Sequence, residues 1–509
     1  MEGHAINATD APRSTDRIVL KFGGSSVSTP ERWAAIADIL RAHLAAGRRP
    51  LVVCSALKGV TDRLERLADR VEAGEDPAEA RADLEAVHVA LGAELGVDAA
   101  AILRDTFDGL DAALRAAQIR PTPDPRLRAE IIATGERLST RLGATWLRRA
   151  GLPTIWCDAR ALLPALPAPR GASEAHRYLA ASASTTPDDD IVAYLDALGA
   201  PVVITQGFTA RDADGATVLL GRGGSDTSAA CLAARVRASG LEVWSDVPGL
   251  FTAHPQRHEQ ARLLRHLHYR EAEVLAALGA RALHPRSVRP VREQDIPLFL
   301  GWTDHPEVPG TRVDGAEPRQ GIKAVTSRAD LCLITMTRPP RWQPVGFMAE
   351  VAHCFRDHGL SMDLISSAPG DIRATVDLVA FPAAREALPG LLADLAEVCT
   401  PAVRWDVASV SVVGHGVMGG LHRLGADLRL LEGPEVHLAS HASDGCSLSL
   451  VVDADDAPAF ERYLHTMLVR AATPEDELGP TLRAMVDRDS SDQTEAAPAR
   501  PWSLVEAVG

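Results

Sequence analysis

Apolar positions along this chain follow two rhythms. Short, largely apolar runs occur at Ile18–Phe22, Pro50–Ser55, Pro153–Asp158, Pro201–Phe208 and Val218–Leu220. Runs of that length, bounded by Gly, Pro or hydroxyl residues, predict buried strands. Between them, residues 31–46, 62–120 and 128–141 place apolar side chains at helical spacing. Thr29-Pro-Glu gives the first helix a capping hydroxyl and a proline in its first turn. Strand, helix and strand in this order predict an α/β domain with a mainly parallel sheet and helices on both faces. Residues 161–188 are Pro- and Ala-rich and predict a surface excursion.

From Gly321 the rhythm changes. Leu331–Met336 predicts a strand, Val345–His358 a helix, Met362–Ser366 and Ala374–Val379 strands, and Pro382–Val398 a helix. A second run follows: strand Ala408–Val413, helix Val417–Leu431, strands Val436–Ala439 and Cys446–Val452, helix Ala457–Leu468. Each run reads βαββαβ, a ferredoxin-like unit. The expected organisation is a lead-in at 1–16, a first domain at 17–312, ferredoxin-like units at 321–400 and 405–470, and a polar tail at 471–509. Lead-in and tail both read as disordered.

A chain of 509 residues exceeds one core, which fits this division. The net charge of −15 argues against a nucleic-acid partner. Seven scattered cysteines without a C-x-x-C pair predict a reducing compartment and no zinc site. No apolar run reaches membrane-span length and residues 1–16 have no signal-peptide core, so the expected location is the cytoplasm. His254, His258, His266 and His268 lack the acidic context of a metal-binding helix and are expected at the surface.

The chemistry concentrates in two Gly-rich turns. In Val218-Leu-Leu-Gly-Arg-Gly-Gly-Ser-Asp-Thr-Ser-Ala-Ala230 a strand enters a turn and a helix leaves it. Ser225 or Asp226 is placed to cap that helix. Free N–H groups at a helix start form an anion site, and Arg222 adds a fork suited to carboxylate or phosphate. In Ile18-Val-Leu-Lys-Phe-Gly-Gly-Ser-Ser-Val27 a strand delivers Lys21 to Gly23 and Gly24. A mobile cation beside exposed backbone donors suits phosphoryl transfer, which depends on positioning and charge stabilisation. Ligands of parallel sheets collect at the carboxyl ends of strands. Lys21, Gly23, Gly24, Ser25, Ser55 and Thr61 therefore belong on one rim, although Ser55 taken alone reads as a turn hydroxyl.

Together these motifs resemble the aspartate kinases of the amino acid kinase family, whose openings read Lys-Phe-Gly-Gly-Thr-Ser-Val and whose substrate loops read Gly-Arg-Gly-Gly-Ser-Asp. The resemblance runs in order from about residue 17 to about residue 470. It implies ATP and Mg2+ as cofactors, with the metal arriving on the ATP phosphates, and L-aspartate as substrate. Lys21, Asp226 and Arg281 would be catalytic. Ser25, Ser55, Thr61, Glu136 and Arg222 would bind aspartate, with Glu136 in the Gly-Glu-x-x-Ser element facing its ammonium group. Gly23, Gly24, Gly223, Gly224, Ser245, Asp246, Phe251 and Arg257 would bind nucleotide. The paired C-terminal units resemble ACT domains, which implies an amino acid effector near Gly346, Phe347, Met348 and Asp363, and homo-oligomer contacts.

This chain departs from the family pattern mainly on the nucleotide side. Phe251 stands for a common Tyr, Gln256 for an Arg with Arg257 one place on, and Arg281 for a Lys. In the first ACT-like unit, Ala368 and Pro369 replace a hydroxyl and an acid, which predicts altered or absent inhibition by lysine. Two rival readings follow: a kinase for another carboxylate, and a catalytically weak regulatory paralogue.

Overall fold

The computed structural model describes residues 16–120, 122–280, 282–339, 345–379, 384–420, 433–469, 473 and 475–491. Residues 1–15, Arg281, Pro382–Ala383 and most of the predicted helix 417–431 lie outside them.

The first domain is built on an eight-stranded sheet in the order Thr154–Trp156, Val202–Gln206, Arg49–Cys54, Arg17–Phe22, Leu241–Ser245, Leu298–Trp302, Thr311–Asp314, His266–His268. Every neighbouring pair is parallel except Leu298–Trp302 with Thr311–Asp314. Alternate residues of a strand point to opposite faces. Val19, Leu51, Val53 and Val203 accordingly join one core, with helices Gly224–Arg235, Tyr269–Ala277 and Pro285–Glu293. Ile18, Leu20, Phe22, Val52 and Cys54 join the other, with helices Pro30–Ala45, Val60–Glu72 and Thr134–Arg149. Thr29 caps the first of these helices through its side chain, as its sequence predicts. The run at Val218 is not part of the large sheet. Thr217–Leu219 pairs only with Thr209–Arg211, in a separate hairpin that carries the second Gly-rich turn.

The C-terminal region is a six-stranded sheet in the order Ile365–Ser367, Asp371–Asp377, Gly321–Thr337, Thr400–His415, Ser447–Asp453, Leu438–His441. Its two central strands correct the predicted boundary between units. Gly321–Arg328 pairs with residues 409–415, and Leu331–Thr337 pairs with residues 400–407. Ile322 and Val325 are therefore packed with Val410, Val412 and Phe460 in the second unit's core, while Cys332 and Ile334 share a core with Phe347 and Leu391. The unit at 331–404 is an insertion in the other, not its predecessor. The polar break at Ser327-Arg-Ala-Asp330 hides this in the sequence, because one long strand reads there as a loop and a shorter one.

The expected tail at 471–509 also needs correction. Leu478–Thr481 is a strand paired with Arg262–Leu264, and Leu482–Ser491 is a helix. Glu477 is buried in an ion pair with Lys323, and the Arg262 and Arg265 guanidinium groups donate to the backbone oxygens of Gly479 and Leu478 at 2.9 Å. Side-chain hydrogen bonds of this kind supply an order that the local polar composition did not announce.

The two regions meet along the segment after Leu241–Ser245. The Val325 amide donates to the Thr252 oxygen at 2.8 Å, and Thr252 Oγ1 lies 2.8 Å from His465 Nε2. Ser327 donates to Glu461 at 2.6 Å, and His258 Nε2 lies 3.4 Å from the same carboxylate. His258 is thus buried at the joint rather than at the surface, unlike His254. No described helix is long and apolar enough to cross a membrane.

Candidate active site

Five strands end on one rim. The Gly23 amide donates to the Trp244 oxygen at 3.3 Å, Ser55 to Phe22 at 3.1 Å, Gly207 to Cys54 at 2.9 Å and Thr303 to Ser245 at 2.8 Å. The two Gly-rich turns come together here. Lys21 Nζ lies 2.5 Å from Asp226 Oδ1, with both side chains mostly buried. Space is tight around the glycines. A Cβ on Gly24 would sit 2.8 Å from the Ala56 oxygen, and one on Gly223, where φ is 65°, would strike the His284 ring. Only glycine fits these positions, because they combine close approach with a left-handed backbone at 223.

Gly223 also changes the expected helix start. It is itself the N-cap of Gly224–Arg235, with no side-chain cap, so neither Ser225 nor Asp226 caps the helix. Asp226 falls in the first helical turn and is spent on Lys21 instead. The open amides of this turn and the ammonium of Lys21 give the rim a positive character that an anion can use.

Glu136 sits under the rim in the helix Thr134–Arg149 and is 2% exposed. Burial pushes its carboxyl up to about 8, against hydrogen bonds from the backbone at Ala56 and at Glu136 itself. Its Oε2 is buried with no hydrogen-bond partner. A buried carboxylate oxygen left unpaired is costly, and a cation placed there would offset that cost. Ser139, three residues on in the same motif, donates at 2.7 Å to the Ser55 oxygen and fixes this helix to the rim. Ser25 opens the short helix after Gly24, and its carbonyl accepts from Arg32 at 2.7 Å. Thr61 lies in the first turn of Val60–Glu72.

Arg222 is exposed and reaches out of the loop, where its guanidinium donates to the Val379 backbone oxygen of the inserted unit. Ser245 and Asp246 lie at the rim, next to Thr303 and the bidentate pair between Arg32 and Asp304 at 2.6 and 2.7 Å. Phe251 is 8% exposed and packs with Leu263. Arg257 is exposed, and its amide donates to the His254 oxygen at 3.0 Å. Arg281 lies outside the described residues. In the C-terminal region Gly346 starts a helix with φ 89°, Phe347 is buried, Met348 is half-exposed, and Asp363 pairs with Arg328.

Two further residues meet at the rim that were not among the expected site residues. Thr303 Oγ1 lies 2.8 Å from Ser26 Oγ, and His284, held as a helix cap, packs on Gly223. Burial lowers the His284 pKa, so its ring is neutral beside Arg222 and Arg286. Its place in Leu283-His-Pro285, just before a helix, was the available hint. Among the described residues no three His, Cys, Asp or Glu side chains gather as a metal-binding group.

Lysine-sensitive aspartokinase 3 of Escherichia coli (strain K12) is 29% identical over 462 residues, covering 89% of this chain and 99% of that protein. Chloroplastic aspartokinase 3 of Arabidopsis thaliana is 27% identical, covering 90% and 82%. The crystal structure of E. coli aspartokinase III in complex with aspartate and ADP, in the R-state, superposes with a TM-score of 0.73 at 29% identity, over 89% of this chain and 99% of that one. The T-state structure with lysine and aspartate gives 0.71. Residues 16–301, more than half of the 509, match the model described as the amino acid kinase family, and to that family the chain belongs.

Proposed function

We propose that the protein is an aspartate kinase, which converts L-aspartate and MgATP to 4-phospho-L-aspartate and ADP. The observation that carries this reading is the meeting of Lys21 and Asp226 between two glycine turns, with the unpaired carboxylate oxygen of Glu136 in the same rim. Likeness to aspartokinases along nearly the whole chain supports it.

A carboxylate with an ordinary pKa of about 3.9 is already ionised at neutral pH, so the nucleophile needs no general base. Its oxygen attacks the γ-phosphorus in line, the bond to the β–γ bridging oxygen breaks, and ADP carries away the electron pair. Lys21 neutralises charge on the transferring group, and Asp226 holds the ammonium in place. Amides of Gly24, Gly223 and Gly224 donate to phosphate oxygens, while the Gly23 amide is spent on the Trp244 oxygen; preorganised donors of this kind contribute most in phosphoryl transfer. Magnesium would arrive with the ATP phosphates and would supply further charge neutralisation there.

Glu136 takes the substrate ammonium, Arg222 its α-carboxylate, and the hydroxyls of Ser25, Ser55 and Thr61 complete the contacts. Ser245, Asp246, Phe251 and Arg257 serve the nucleotide, and Arg281 adds a second charge. The C-terminal units would take an amino acid effector near Gly346–Met348 and Asp363 and join subunits into a homo-oligomer.

The test is hydroxylamine trapping of the acyl phosphate. Purified protein receives MgATP with aspartate, glutamate or no acceptor. Hydroxamate from aspartate alone is the expected result. Hydroxamate from glutamate would shift the substrate, and none from either would rule out the kinase reading.

A further inference from the structure

The C-terminal helix Leu482–Ser491 lies against a part of the molecule far from it in sequence. Met485 is 3% exposed and belongs to one apolar cluster with Phe251, Ala253, Ala261 and Leu263. Leu482, Trp302 and Val308 are packed against the same cluster. Phe251 and Ala253 lie on the segment that leaves the rim at Ser245 and Asp246. Trp302 ends the neighbouring strand of the large sheet, and its indole Nε1 is buried with no partner among the described residues.

The helix is held there by the strand before it. Leu478–Thr481 adds to Arg262–Leu264, whose Leu263 bridges to Phe251. The Thr252 amide donates to the Arg262 oxygen at 2.9 Å and the Leu264 amide to Leu250 at 2.8 Å. A Cβ on Gly479 would already stand 3.0 Å from Leu263, so the added strand fits closely. Residues 250–252, 262–264 and 478–481 therefore form one small layered hairpin, with Met485 closing its apolar side.

We propose that Met485 is a positioning residue for the nucleotide. By filling the space against Phe251, the C-terminal helix fixes the 245–253 segment at the rim and so sets affinity for the adenine nucleotide. The inference rests on the reading that this segment lines the nucleotide site. The Phe251 backbone bridges to Leu263, but its ring has no hydroxyl to anchor it, so the side chain is placed by packing, and dense apolar packing transmits the loss of a neighbour. Aspartate binds at the other side of the rim, around Glu136 and Arg222, with no contact to this cluster.

The experiment compares the full chain with Met485→Ala, Met485→Leu, Val486→Ala and a chain ending at Thr481. Val486, on the same helix, is 50% exposed and serves as the control. Calorimetry reads ADP binding, and steady-state assays read the two KM values. Met485→Ala and the shortened chain are expected to weaken ADP binding and raise KM for MgATP by about tenfold, with KM for aspartate within about twofold. Met485→Leu restores both, because it conserves volume. Unchanged ADP affinity in Met485→Ala, or an equal loss for both substrates, overturns the proposal. A full chain that binds no ADP overturns the nucleotide reading and this inference with it; one that binds ADP equally with and without the helix overturns this inference alone.

Discussion

Arg222 of the Gly-rich loop donates its guanidinium to the backbone oxygen of Val379, in the inserted C-terminal unit. The Val379 amide is held in turn by Asp377 at 2.8 Å, and Asp377 lies 3.3 Å from Arg328, which also pairs with Asp363. A guanidinium spent on a carbonyl is less available to a substrate carboxylate, a stronger partner. Arg222→Ala should raise KM for aspartate by about a hundredfold, the loss of a charge-assisted pair. Asp377→Ala should loosen the turn and lower KM for aspartate about threefold through the weaker competitor. Steady-state kinetics check both, and a raised KM in Asp377→Ala would contradict the competition.

Lys21 and Asp226 form a pair whose members depend on each other. Lys21→Met should reduce kcat by about a thousandfold, as loss of a preorganised charge does. It also leaves the Asp226 carboxylate partly buried and unpaired, at about 1–3 kcal/mol of stability. The double variant Lys21→Met with Asp226→Asn should recover most of the thermal stability and none of the activity. Melting curves beside trapping assays separate the two effects.

Glu136 gives the site a pH signature. Its carboxyl is raised to about 8 by burial. A raised folded-state value means that stability from the protonated form is present below the unfolded value and is lost as pH rises through about 8. Glu136→Gln should therefore melt higher than the parent at pH 9 and about equally at pH 4. An ammonium bound beside Glu136 favours the carboxylate and expels its proton. Calorimetry of aspartate binding at pH 7 in buffers of different ionisation enthalpy should report proton release, and Glu136→Gln should abolish it.

The hairpin between Ile365–Ser367 and Asp371–Asp377 is closed by the Ala368 amide donating to Asp371 at 2.9 Å, with Pro369 at its tip. Neither Ala368 nor Pro369 offers an acid or a hydroxyl, and Pro369 has no amide donor. Lysine at millimolar concentration should leave the hydroxamate assay unchanged. Half-inhibition by micromolar lysine would contradict this.

The catalytic turns were legible because their signals are local. The strands ending at Phe22 and Cys54 announce themselves within a few residues, and parallel pairing then fixes which rim they share. Contacts set by distant partners were not legible in the same way. Asp226 reads as a cap until Lys21, about 200 residues away, takes it. Glu136 entered through family resemblance, since nothing in an amphipathic helix marks one glutamate as unpaired. The strand Leu478–Thr481 was invisible because its order comes from Arg262 and Arg265, not from its own pattern. The long central strands read as broken because Asp330 and Asp406 interrupt their apolar runs.

Those two aspartates mark a point of entry and exit. Asp330 and Asp406 adopt left-handed backbone with φ of 56° and 54°, which a short polar side chain tolerates. Immediately after them, Leu331 and Val407 are paired across the sheet. The chain thus leaves one unit and returns to it at adjacent positions, with the whole of 331–404 looped out between. That makes the looped-out portion a cassette. A graft or deletion with breakpoints at Asp330 and Asp406 respects both cores, whereas a cut between 400 and 405 severs a strand that both units need. Exchanges of this portion between relatives of this chain should therefore fold only when the cassette is moved as one piece.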